Sequence, residues 1–163
     1  MKSKTILQIH SASTAIMAGL SLLFLITCGD LIVSLFFNAD LFTIGYTADT
    51  AANIGKLVNR SLYYLFILAI LAATFMMFRS IRRENTPFLP DVPKYIKIIG
   101  GLVMFASPVS RWIGDIVAFF VLESIVIVND SDIIGIFIGG IFACLAIIFE
   151  YGSILQTQDD ETL

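Results

Sequence analysis

Residues 16–37 read IMAGLSLLFLITCGDLIVSLFF, an apolar run whose single charge is Asp30. A hydrocarbon core of ~30 Å takes about 20 helical residues, so this run is long enough to cross a bilayer once. Three more runs follow, Ser61–Phe78, Ile98–Leu122 and Ile133–Phe149, the last continuing to about residue 153. Spans at about 16–37, 61–78, 98–122 and 133–153, joined by short polar segments, predict an all-α, integral membrane four-helix bundle. Residues 1–163 then form one domain, multi-pass in the cell membrane.

Bulk composition agrees with the runs. Hydrophobic residues make up 58% of the chain and charged residues 14%, with a mean hydropathy of +0.91. Soluble domains average ~45–50% apolar and ~25% charged residues. The net charge of −3 and a pI near 4.9 provide no basic stripe to neutralise phosphates, so direct nucleic-acid binding is not expected. The first run exceeds a signal-peptide core of ~7–15 residues and lacks a following small-x-small cleavage site, so it reads as a retained span. Cys28 and Cys144, the two cysteines, fall inside different runs and read as small packing hydrophobes. His10 stands ahead of span one among Ser11, Ser13 and Thr14 and reads as an interfacial residue.

Basic residues orient the spans, because Lys and Arg in short loops favour the cytoplasmic side. With both termini cytoplasmic, that side carries Lys2, Lys4, Arg79, Arg82, Arg83, Lys94 and Lys97 against Lys56 and Arg60 outside. The first loop, about Asn38–Arg60, has room for a short helix or cap. The third, Glu123 to Asp132, is little more than a turn and makes spans three and four antiparallel neighbours. The second holds three of the four prolines. Pro87-Phe88 ends the helix of span two in an extended turn, and Asp91 and Pro93 suit the cap and first turn of the next helix.

Charges also enter the membrane. At ~1.5 Å per residue, Asp30 lies about 21 Å from Ile16, and Arg111 and Asp115 lie about 20 and 26 Å from Ile98. All three thus reach the outer half of the bilayer. Arg111 and Asp115 share a helix face with Ser107, and Thr27, Asp30 and Ser34 form a stripe on span one, with Arg60 above them. Buried charge in a span faces the bundle interior and pairs. The expected arrangement is an interhelical cluster Asp30–Arg111–Asp115, either an outward-facing ion, proton or ligand site or a structural ion pair. Pro108 weakens the helix beside it, and such breaks can line cavities. Gly135, Gly139 and Ala143 form a small-xxx-small face on span four, expected to pack within the bundle.

On the cytoplasmic side, the acidic tail with Asp159, Asp160 and Glu161 faces Arg82 and Arg83. These residues, with Pro87 and Phe88, are the candidate docking surface. Charge pairing alone would add only ~0–1 kcal/mol between exposed groups.

Two stretches carry a resemblance. One is Asn85-Thr86-Pro87-Phe88 followed by Lys94-Tyr95-Ile96-Lys97-Ile98-Ile99-Gly100. The other is Ile148-Phe149-Glu150-Tyr151-Gly152-Ser153-Ile154-Leu155-Gln156, closing in Asp160-Glu161-Thr162-Leu163. With four spans in this order, the chain resembles the bacterial membrane family catalogued as domain of unknown function 2975, over nearly its whole length. No catalytic residues are assigned to that family. Its members are often encoded beside a small helix-turn-helix DNA-binding protein, so the resemblance implies a membrane partner that holds or modulates such a regulator.

The expected function is therefore a non-enzymatic regulator or interaction partner of a cytoplasmic helix-turn-helix protein. The alternative is a small transporter or export subunit, for which Pro108 and the buried charges speak. No paired catalytic carboxylates, HExxH, Ser/His set or Gly-rich phosphate loop occurs, so neither a catalytic site, a metal nor a cofactor is expected.

Overall fold

In the computed structural model, which describes residues 2–37, 48–84, 86, 89, 91–122 and 133–161, the described residues form four helices and no strand. They are α1 (Lys2–Phe37), α2 (Ala48–Glu84), α3 (Val92–Leu122) and α4 (Ile133–Glu161). Every apolar run of the sequence lies inside one of them. All four are long and apolar enough to cross a membrane.

The helices outrun the apolar runs. At ~1.5 Å per residue, the 36 residues of α1 and the 37 of α2 reach about 54–56 Å, well beyond a ~30 Å core. Residues 48–60, expected within a loop with its own short helix or cap, are instead the opening turns of α2. Packing explains this: Ile54, Gly55 and Leu57 are buried, and Gly55 lies against Gly114 and Ala118 of α3. At the other end of α2, Arg79 to Glu84 remain helical. The chain re-enters a helix at Val92 as expected. The Asp91 carbonyl accepts from the Tyr95 amide at 3.2 Å, and Pro93 sits in the first turn, where its missing N–H costs nothing. The Asp91 carboxylate accepts from Lys94 Nζ at 2.9 Å. Pro87, Phe88 and the loop of residues 123–132 lie outside the described residues.

Neighbouring helices run antiparallel and pack in chain order: α1 on α2, α2 on α3, α3 on α4. Among the described residues, α1 makes no close backbone approach to α3 or α4. The four helices expected from the sequence thus form an open row in chain order, with α1 and α4 at its edges. Close approach is set by small residues. A Cβ added to Gly139 would stand 2.6 Å from Met104 Cβ and 2.8 Å from the Gly100 carbonyl, and one added to Gly135 would stand 3.2 Å from the Val103 carbonyl. The small-residue face of span four therefore packs on α3. A second seam joins α2 to α3, where a Cβ on Gly114 would lie 2.7 Å from the Gly55 carbonyl.

Side chains from all four helices meet near the start of α1 and the end of α4, which we term the terminal end. Ile81, Val92, Ile96 and Ala146 are buried there, with Ile9, Met77, Phe78, Leu89, Phe142 and Phe149 packed around them. Elsewhere the surface is apolar. Leu25, Phe36, Phe120 and Phe137 are each more than two-thirds exposed, as suits helices surrounded by lipid rather than water.

Candidate functional site

The sequence places its candidate residues at two levels, and the structure treats them differently. At the level of Arg111, the face of α3 that meets α2 is made of Ser110, Gly114 and Ala118, all buried. Arg111 and Asp115 flank this seam, four residues apart and half-buried. Asp30 does not join them. It is exposed on α1, which packs on α2, and no ion pair joins it to Arg111 among the described residues. The expected three-member cluster assumed a closed bundle; with the helices in a row, α2 stands between α1 and α3. Arg60 turns to its own helix, its guanidinium 5.8 Å from the centre of the Tyr64 ring and Nη2 donating to Tyr64 Oη at 3.4 Å.

Beside Pro108 the structure has a cavity of about 300 Å³. Tyr63, Ile67 and Ile70 of α2, Val103, Ala106 and Ser107 of α3, and Gly135 of α4 contribute to its walls. Helix α3 continues through Pro108 without interruption. Glycine opens the α4 side, and Tyr63 and Ser107 are the polar members of a mainly apolar lining.

At the terminal end, polar contacts tie neighbouring helices together. Lys97 Nζ donates to Glu150 Oε2 at 2.8 Å and ties α3 to α4. Arg82 Nε donates to His10 Nε2 at 3.3 Å and ties α2 to α1. Arg83 pairs with Glu84 at 3.3 Å. Between α1 and α2, His10, Met17, Phe75, Arg79, Arg82 and Arg83 line a cleft of about 510 Å³. Of the candidate docking residues, Arg82 and Arg83 thus stand in one cleft. Asp159, Asp160 and Glu161 continue α4 as helix, with side chains outside the described residues. His10 is the residue that sequence reasoning underrated. Its spacing from Met17, two helical turns on, was the available signal that it shares their face.

Among the described residues no three His, Cys, Asp or Glu side chains gather as metal ligands. Cys28 is a half-buried and Cys144 an exposed free thiol. Comparison of the chain with protein-family models, curated proteins and solved structures finds no match.

Proposed function

We propose that this chain is a multi-pass cell-membrane protein with both termini cytoplasmic, and that it acts without catalysis, as a regulator or interaction partner of a cytoplasmic helix-turn-helix DNA-binding protein. The observation that carries this reading is a packed and cross-linked surface at the terminal end. Packed side chains of all four helices, the Lys97–Glu150 bridge and the Arg82–His10 contact lie together at the terminal end. A platform of this kind suits a cytoplasmic docking partner. The basic residues support the orientation, and the family resemblance supports the kind of partner.

Capture tests the reading. Solubilised full-length protein should retain the helix-turn-helix protein encoded beside it, and removing residues 156–163 or replacing Arg83 should weaken retention. A full complement of that regulator in the unbound fraction would overturn the proposal. A transporter is the second reading, favoured by the cavity beside Pro108. It requires solute flux in proteoliposomes that Arg111→Ala stops and the tail deletion leaves intact.

A further inference from the structure

We infer that the cleft between α1 and α2 is a binding site for one acidic phospholipid, its phosphate held by Arg79, Arg82 and Arg83 and one acyl chain lying in the groove beneath. The inference rests on the membrane placement proposed above, not on the protein partner.

Two cavities carry it, and Phe75 lines both. The basic cleft of about 510 Å³ has Phe75 in its wall. Phe75 also lines a second cavity of about 400 Å³, formed with Leu20, Ser21, Phe24 and Leu25 of α1 and Leu71, Ala72 and Met76 of α2. Residues 71/72, 75/76, 79 and 82/83 follow one face of α2 at helical spacing, and 10, 17, 20/21 and 24 follow one face of α1. The α2 stripe therefore changes from apolar in the span to cationic at its end, where His10 of α1 faces it. A phospholipid has the same order of chemistry along its length.

The donors are suited to phosphate. Arginine presents a fork of N–H groups that phosphate oxygens can accept from in pairs. Arg79 makes no hydrogen bond or ion pair among the described residues. Arg82 contacts His10 through Nε, which leaves its two terminal nitrogens for a ligand and fixes the plane of the guanidinium. Arg83 shares its charge with Glu84, so its contribution is the smallest of the three. Basic pockets between spans on the cytoplasmic side are suited to anionic headgroups, and that leaflet carries the anionic lipids.

The edge position of α1 supplies the room. Among its described side chains only those of Ser13 and Ser34 are buried. Ser13 Oγ donates back to the Ile9 carbonyl at 2.8 Å, so this hydroxyl is satisfied within α1 itself. A lipid filling the groove between α1 and α2 would add contacts to the most weakly held helix.

The test uses the full-length protein in micelles of a neutral detergent, with bound lipid counted by native mass spectrometry. One phosphatidylglycerol should be retained at concentrations where phosphatidylcholine is not. Arg79→Gln and Arg82→Gln should each lower retention about fivefold, while Arg60→Gln, at the opposite end, should leave it intact. Ala72→Phe fills the groove without touching a charge and should weaken long-chain phosphatidylglycerol while sparing inorganic phosphate. Where a variant loses its helical circular dichroism, the unaltered protein still decides: short-chain phosphatidylglycerol should bind more weakly than long-chain. Equal retention of both headgroups overturns the proposal. So does inorganic phosphate that competes as well as the lipid, which would make the cleft an anion site. Because this assay reads micelles, it stands or fails separately from any measurement of orientation.

Discussion

At the scale of single residues, neighbouring glycines do opposite things. A Cβ on Gly139 would collide with Met104 Cβ and the Gly100 carbonyl, whereas one on Gly140 would meet nothing within 4 Å. The Gly139→Ala change must push α3 and α4 apart, and overpacking of this kind costs about 1–3 kcal/mol. Gly140→Ala should be neutral or slightly stabilising, since alanine is the better helix former. Thermal unfolding in micelles should separate the two, and equal midpoints would remove the packing account. Gly114→Ala, facing the Gly55 carbonyl at 2.7 Å, belongs with Gly139. Part of this was legible beforehand: Gly135, Gly139 and Ala143 recur every four residues and announce a contact face. Gly55, Gly100 and Gly114 have no such period, and their role depends on which helix comes to lie opposite. The Lys97–Glu150 bridge is legible only in three dimensions, for its members are 53 residues apart. With both side chains about half exposed, it contributes at most about 1 kcal/mol, so Glu150→Gln should move the midpoint little.

At the scale of elements, α2 departs most from the sequence reading. Hydropathy located the span from Ser61, but the helix begins at Ala48. Asp49, Asn53, Lys56 and Asn59 lower the average without breaking the helix, and the close approach of Gly55 to Gly114 and Ala118 of α3 holds these turns in place. A hydropathy window cannot see that contact. A proline at Lys56 sits inside the helix and should cost about 3 kcal/mol, whereas Asp49→Pro lies in the first turn and should be tolerated. Circular dichroism with thermal unfolding measures both, and tolerance of Lys56→Pro would return residues 48–60 to a loop. The start of α3 was legible for a physical reason: Asp91 and Pro93 act through local geometry, which sequence carries directly. The cluster of Asp30 with Arg111 and Asp115 was not, because depth along a span fixes level and says nothing about which helix is adjacent.

At the scale of the whole molecule, helix order and orientation are separate questions, and each has its own measurement. In a closed bundle Asp30 would face Arg111. In the open row α2 intervenes, so Asp30→Cys and Arg111→Cys in a background lacking Cys28 and Cys144 should resist a short bis-maleimide. His10→Cys with Arg82→Cys, whose native side chains touch, should be joined efficiently. Efficient joining of the first pair would restore the closed bundle. Orientation follows from charge instead. Seven Lys and Arg residues lie at or near the terminal end and two at the opposite end, a bias that supports the proposed cytoplasmic placement of the terminal end. A periplasm-active reporter should therefore be silent after Leu163 and active when inserted at Gly45. The reverse pattern would overturn the proposed topology and would also turn Arg79, Arg82 and Arg83 away from the anionic leaflet. The arginines that support this proposed orientation also line the basic cleft. Neutralising Arg79 alone leaves six basic residues against two, so it should preserve the reporter pattern while weakening acidic lipid. Loss of both together would mean that the cleft has no role beyond topology.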